Sequence, residues 1–328
     1  VIFSGMSGSA IADAVGPGIV EIEMMSKGGR YPRPFAVAVS AASATIGPII
    51  PPSIPMVLYA LVSGASVGAL FLGGVVPGLL MAAAMMGVIV WIARRRNFPT
   101  EPPVSWREIS RVFLRTLLAL LMPVVLLGGI YSGAFTPTEA AAVAALYALA
   151  LALFVYRALD WKGLVAVLSD SARSSAAVGI IICGAFLFNY ALATEQIPAR
   201  IAAGFAALEL GPVGFLLMTN VAFLVLGCLL DTTTLLLVMV PLLLPVAKAL
   251  GVDLVHFGVV IVVNMMIGLL TPPYGVLLFV LSGLAGVPVK EIVRELLPFI
   301  LVLVAVLLLI TLVPSLVLAL PALAGYGG

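Results

Sequence analysis

Residues 46–52 read IGPIIPP, and residues 267–273 read IGLLTPP. Both lie inside apolar stretches long enough to enter a membrane, and both set a double proline shortly after a glycine. Proline has no N–H, and its ring clashes with the carbonyl one turn back, so either heptapeptide breaks a helix. The chain makes this break twice, 221 positions apart.

Composition sets the class. Of 328 residues, 63% are hydrophobic and 9% charged, with a mean hydropathy of +1.28. A soluble domain carries about 25% charged residues, so this chain cannot cover itself with a polar surface. It reads as an integral membrane protein. Residues 70–93 and 296–320 are charge-free apolar runs of 24 and 25 residues, and roughly 20 suffice for a helix to cross the hydrocarbon core. The alternation of a barrel is absent, which leaves an all-α polytopic fold. A net charge of +2 argues against a nucleic-acid partner. Cys183 and Cys228 sit in apolar segments without metal-ligand spacing and read as packing residues. His256, the one histidine, follows Asp253 at a helix start and reads as a surface residue near the interface. The chain opens at Val1 inside an apolar segment without a start methionine. It is read as lacking an N-terminal part, so helix counts are lower limits.

Charge orients the spans. Residues 94–115 hold six Arg against two Glu, which places them in the cytoplasm. Walking forward, 116–132 cross outward, 137–156 return and 174–193 cross outward again. Walking backward, 70–93 lead in from outside, so 35–63 rise from a cytoplasmic stretch, 21–33, that carries Lys27, Arg30 and Arg33. Residues 212–250 are too long for one span: 39 residues would make a helix of about 58 Å against a core of about 30 Å. A helical hairpin with Asp231-Thr232-Thr233-Thr234 at its tip resolves this. Residues 256–285 then cross inward, and 296–320 end outside.

The two breaks now acquire partners. The polar segment SGMSGSAIAD precedes IGPIIPP, and DTTT precedes IGLLTPP. Ser9 to Gly47 spans 38 positions, and Thr233 to Gly268 spans 35. The first broken helix rises from inside and the second descends from outside, which is an inverted repeat of the kind that builds secondary transporters. Carbonyls freed by the prolines are tolerated only where they line a protein cavity, and there they can coordinate a bare cation beside Ser or Thr hydroxyls. Half-helix N-termini suit an anionic substrate, and glycine lets tip and break approach closely. Asp231 and Asp13 suit a hairpin cap or interfacial role as well as a direct transport role.

These residues carry a resemblance. FSGMSGSAIADA (3–14), AASATIGPIIPPSIPMVLYA (41–60), GGIYSGAFTPTEAAAVAALYAL (128–149) and NMMIGLLTPPYGVLLFVLSGLAG (264–286) closely resemble the large membrane subunit of TRAP transporters, the tripartite ATP-independent periplasmic carriers. The likeness extends over essentially the whole chain; Tyr274 departs from the valine usual after the double proline. It implies an inverted-repeat elevator with two re-entrant hairpins in the bacterial inner membrane. Such a carrier takes up organic acids such as C4-dicarboxylates or sialic acid with Na+. It works with a DctP-like periplasmic binding protein and a small DctQ-like membrane subunit. Carried onto this chain, one sodium site uses Ser7, Ser9 and the backbone at Thr45, Gly47 and Pro48. The other uses Thr232, Thr233 and the backbone at Gly268, Leu270 and Thr271. The substrate carboxylate lies near Ser9, Ser43 and Thr233, and Pro51, Pro52, Pro272 and Pro273 serve as hinges. The implied division is a partial hairpin and broken helix (1–63), scaffold helices with the cytoplasmic loop (64–211), the second hairpin and broken helix (212–286) and a C-terminal scaffold helix (287–328).

Thr136-Pro137-Thr138-Glu139 reads as a helix start, with a Thr cap, Pro at the first position and Glu in the first turn. Other functions fit less well. No GxxxxGK[ST] run occurs, so the chain is not itself an ATP-driven pump. An ion channel would favour a symmetric pore and rings of charge. A stand-alone anion permease of the same superfamily is the nearer alternative. An intramembrane hydrolase needs a base beside its nucleophile, and the single histidine reads as interfacial.

Overall fold

The computed structural model describes residues 7–99, 105–207 and 210–326, and every regular element among them is helical. The first limb of the first hairpin, with residues 3–6 of its motif, lies outside the described residues, as do 100–104 of the basic loop. The chain forms two compact units, one of the residues up to Pro99 together with those from Ala185 onward, the other of the residues between.

The first unit begins with α1 (Ala10–Asp13), which runs through a π-helical turn, Ala14–Gly18, into α2 (Ile19–Ser26). Pro17 sits inside that turn, where the widened ladder accommodates its missing donor. The first broken helix follows as α3 (Arg33–Ala44) and α4 (Ile54–Ser63), and α5 (Val67–Arg96) comes next. After Ala185 the unit contains the end of a long helix, then α9 (Ile197–Ala207), α10 (Pro212–Gly227) and α11 (Thr232–Ala249). Residues 228–231 join α10 to α11, so the length argument over 212–250 resolves into two helices around a turn. The second broken helix is α12 (Leu254–Gly268) and α13 (Val276–Ala285), followed by α14 (Val289–Leu312) and α15 (Ser315–Leu323). The apolar run 296–320 is therefore not one helix: Pro314 follows the end of α14 and precedes α15.

The core sits on α12. Every residue from His256 to Gly268 is buried, and α10, α14, α5 and α4 pack around it. Glycines set the closest approaches. A Cβ at Gly74 of α5 would collide with the Ile49 carbonyl of the first break, and one at Gly258 of α12 would collide with the Tyr59 ring. Phe299, Leu303, Leu307 and Ile310 of α14 are fully buried. Helices α5 and α14 group with the broken helices in the first compact unit, and glycine on α5 lets backbone meet backbone at Gly74 and Ile49.

The second unit holds α6 (Trp106–Tyr131), α7 (Pro137–Ala150), which ends in a π-helical turn, Leu151–Val155, and the greater part of α8 (Trp161–Thr194). The helix start at 136–139 is a full capping box: the Glu139 backbone N–H donates to Thr136 Oγ1 at 3.3 Å and the Thr136 backbone N–H donates to Glu139 Oε2 at 2.8 Å. Tyr147 Oη donates to the Leu118 carbonyl at 2.7 Å and ties α7 to α6. Five helices among the described residues are long and apolar enough to cross a membrane by length and composition: α5, α7 with its π turn, α8, α11 and α14.

Candidate functional site

The site is built from helix starts. At the first tip, Ser9 is extended and caps α1, its Oγ accepting from the Ala12 N–H at 3.4 Å. Gly8 precedes it at φ +64, and a Cβ there would stand 2.7 Å from the Pro52 carbonyl oxygen. Only glycine fits, on grounds of both conformation and space. The Gly8 carbonyl also accepts from the Ile54 N–H at 3.4 Å, so the first tip is seated on the first break. Ser7 Oγ donates to Asp13 Oδ1 at 2.6 Å and accepts from the Ser9 N–H at 3.1 Å.

The first break runs from Thr45 to Ser53, with the Pro51–Pro52 bond cis. Ser53 is buried and bonded on both sides: its Oγ accepts from the Met56 N–H at 3.2 Å, capping α4, and donates to the Pro48 carbonyl. Among the described residues, no hydrogen bond ends on the Thr45 or Gly47 carbonyl, although both residues are buried.

The second tip is capped by Asp231, whose Oδ2 accepts from the Thr234 N–H at 3.1 Å and lies 3.4 Å from Thr234 Oγ1. Of the two roles open to Asp231, the structure displays the cap. Thr232 and Thr233 are the first residues of α11 and half-buried. Their N–H groups belong to the helix turn that has no intrahelical acceptor. The second break, 269–275, also holds a cis bond, Pro272–Pro273, and here too glycine joins tip to break. A Cβ on Gly268 would come within 2.8–2.9 Å of the Gly227 backbone.

These pieces meet at a pocket of about 120 Å³. Its lining includes Ser9, Ala10 and Ile11 at the start of α1, Ile54 and Pro55 of α4, Asp231, Thr232 and Thr233 of α11, and Val276 of α13. Four helix N-termini thus converge on one space, two from tips and two from breaks. Each brings the positive end of a helix dipole. Helices α1, α11 and α13 add N–H groups without an intrahelical acceptor, whereas at α4 the Ile54 and Met56 N–H groups are already bonded and Pro55 has none. The dipoles and the remaining donors suit an anion.

The other residues singled out in the sequence divide between this pocket and its walls. Pro48 lines it with Ser9, Thr232 and Thr233, whereas Ser7, Ser43, Thr45, Gly47, Gly268, Leu270 and Thr271 do not. Thr45 Oγ1 donates to the Ala42 carbonyl at 2.7 Å, Ser43 Oγ to the Ser40 carbonyl at 3.1 Å, and Thr271 Oγ1 to the Ile267 carbonyl at 2.7 Å. Their hydroxyl protons are thus committed to helix carbonyls. Pro51, Pro52, Pro272 and Pro273 lie in the breaks and not on the pocket lining. Tyr274 is exposed, with its ring 5.5 Å from that of Phe279.

Three features escaped the sequence reading. His256 is not a surface residue: it is 2% exposed, with Nε2 2.8 Å from the Ile310 carbonyl. Beside it on α12 lies a buried polar chain. Asn264 Nδ2 donates to the Asn220 carbonyl at 2.9 Å and to Asn220 Oδ1 at 3.1 Å, and Asn220 Nδ2 donates to Thr311 Oγ1 at 2.9 Å. An amide inside an otherwise apolar run was the available signal, since such groups in membrane helices are costly and face inward. The run GASVG, 64–68, spells the G-x-S-x-G of a hydrolase elbow. Its Ser66 instead caps α5, accepting from the Ala69 N–H at 3.3 Å, and no strand precedes it as that elbow requires.

Comparison with known proteins places this geometry in a family. Residues 1–316 match the family model described as "Tripartite ATP-independent periplasmic transporter, DctM component". Over its full length the chain is 44% identical to a sialic acid TRAP transporter large permease protein of Vibrio cholerae, covering 77% of that relative. Over 98% of its length it is 43% identical to a C4-dicarboxylate TRAP transporter large permease protein of Pseudomonas aeruginosa, covering 75% of it. A 2,3-diketo-L-gulonate large permease of Escherichia coli is 35% identical over 97% of the chain and covered to 75%.

Proposed function

This chain belongs to the DctM family of TRAP transporter large permeases, multi-pass proteins of the bacterial inner membrane, and we propose that it carries small organic acids inward in company with Na+. The observation that carries the reading is the convergence of four helix N-termini on one pocket flanked by two proline breaks. The N-termini suit the carboxylate. A pocket of about 120 Å³ suits the carboxylate end of the acid, being smaller than the roughly 300 Å³ at which drug-sized sites begin.

Sodium belongs behind the tips. Ser7, Ser9 and the carbonyls from Thr45 to Pro48 offer one set of neutral oxygens. Thr232, Thr233 and the carbonyls from Gly268 to Thr271 offer the other. Sodium, a hard cation, takes such oxygen ligands, and its charge offsets that of the arriving acid. Coupling follows physically, because each ion draws a tip onto its break and completes the N-terminal cradle between them. The tips act as re-entrant hairpins.

Movement is by an elevator. The compact unit that contains both tips, both broken helices, α5 and α14 would travel as one body, a larger body than the sequence division implied. The relatives' names speak of sialic acid, C4-dicarboxylates and 2,3-diketo-L-gulonate, all carboxylates, and a carboxylate is the substrate class proposed here. A periplasmic binding protein delivers it, and a small membrane subunit braces the second unit.

The experiment is uptake into proteoliposomes holding the full-length permease with its small subunit, with the binding protein outside. Accumulation should follow an inward Na+ gradient. Equal accumulation with K+ in place of Na+ overturns the coupling.

A further inference from the structure

Away from the transport pocket, α5 and α14 leave an open groove of about 520 Å³ lined by Ala84, Gly87, Val88, Trp91, Pro298, Leu301 and Val302. The pairing is antiparallel: Ala84 to Trp91 lie across from Val302 to Pro298, and Arg96 at the end of α5 pairs with Glu295 near the start of α14 at 2.8 Å. Gly87 opens the groove, since a Cβ there would meet nothing within 4 Å. Every lining side chain is apolar, and Leu301 is 70% exposed.

The chemistry changes at one end. Trp91 is half-exposed, and the Arg95 guanidinium lies over its ring at 5.4 Å from the centroid. Arg95 stands four residues after Trp91, and Arg294 four before Pro298, so helical periodicity puts both on the groove's own face one turn beyond its end. Both are exposed, and among the described residues neither has a carboxylate partner. Their long stems can rise to the headgroup level, where indole rings also concentrate.

We propose that this groove holds a phospholipid, with an acyl chain along Gly87 and Leu301 and its phosphate between Arg95 and Arg294. One amphiphile satisfies all three observations: an apolar channel, an interfacial tryptophan and two guanidinium groups that match phosphate geometry and, among the described residues, have no carboxylate partner. The site is independent of sodium coupling, so the transport reading can fail without touching it.

Native mass spectrometry of the purified full-length permease, with phosphatidylglycerol or phosphatidylcholine added back, tests this. The Arg95→Gln/Arg294→Gln pair should lower phosphatidylglycerol occupancy about 30-fold. Gly87→Trp, which fills the channel, should remove both lipids, whereas Arg107→Gln/Arg111→Gln on α6 should change neither. Melting curves and size-exclusion profiles accompany each variant, and the open space at Gly87 makes its replacement compatible with folding. Unchanged occupancy in the arginine pair overturns the proposal. So does loss in that pair with full retention in Gly87→Trp, which would mean a phosphate held by surface charge alone. A cross-link from Trp91→Cys to the small subunit would show a protein in the groove and overturn it equally.

Discussion

Arg33 Nε donates to the carbonyl of Ala285, the last residue of α13, at 2.9 Å. At the opposite end, Tyr59 Oη donates to the carbonyl of Leu254, the first residue of α12, at 2.7 Å. The start of the first broken helix is thus tied to the end of the second, and the end of the first to the start of the second. The two broken helices are antiparallel partners stapled at both ends.

Arg33 also pairs with Glu23 at 2.6 Å, but the two side chains are 43% and 60% exposed, and such pairs are worth about 0–1 kcal/mol. The bond to Ala285 places a cation on the last carbonyl of α13, at the negative end of its dipole, a stronger arrangement. Arg33→Ala should therefore speed amide exchange across 282–287 about tenfold, a loss of about 1.4 kcal/mol, while Glu23→Ala leaves it near wild type. Equal effects of the two variants would make the salt bridge, not the staple, the stabilising contact.

Gly8 provides a second test, of how tightly a tip is seated. A residue with a side chain there meets the left-handed penalty of about 1–2 kcal/mol and a carbonyl at 2.7 Å. Gly8→Ala should lower the melting temperature in detergent and abolish uptake. Gly87→Ala, with open space around it, should melt like the parent. A parent-like melting temperature for Gly8→Ala would mean that the tip is not held on Pro52.

The breaks were legible because proline chemistry is local: IGPIIPP and IGLLTPP cannot be helical in any surroundings. The second tip was legible from length, and the Thr136 cap from its own four residues. What the sequence concealed depends on partners far along the chain. His256 looked interfacial because it stands at a helix start, yet Ile310, 54 residues away, buries it. Helix α5 was legible as a long apolar span, but its close packing on the first break depends on Gly74 meeting Ile49, a contact that no periodicity announces. The sequence singled out pocket-lining residues at helix starts, Ser9, Thr232 and Thr233, and in the first break, Pro48. They were missed where an apolar residue opens a helix, at Ala10, Ile54 and Val276, because there the backbone supplies the chemistry.

The Asn220–Asn264–Thr311 chain joins α10, α12 and α14, and all three residues are buried. Hydrogen bonds between membrane helices average about 0.6 kcal/mol and reach about 1.7, while a stranded buried donor costs about 1–3 kcal/mol. Thr311→Val keeps the shape and strands Asn220 Nδ2, so it should destabilise by about 1–2 kcal/mol on these grounds. Asn264→Ala also opens a cavity and should cost more, about 2–3 kcal/mol. Denaturant unfolding in mixed micelles measures both. A Thr311→Val variant as stable as the parent would show that Asn220 finds another acceptor and that the chain is not a structural pin.

The last test separates a hydroxyl in the transport site from one that only caps a helix. Thr233 lines the pocket at the start of α11, whereas Thr136 is bound up in its capping box with Glu139. Removing an N-cap costs about 1 kcal/mol of stability, which lowers the amount of folded protein without changing how the remainder responds to salt. Thr136→Ala should therefore reduce yield and maximal uptake together and leave the Na+ concentration for half-maximal uptake unchanged. Thr233→Ala should raise that concentration at least about tenfold, because a lost ligand weakens ion binding by about 1.4 kcal/mol or more. Thr233→Ser, which keeps the oxygen, should restore it. If Thr233→Ala and Thr136→Ala move the half-maximal concentration equally, Thr233 holds no sodium and the second site must be sought elsewhere along the break.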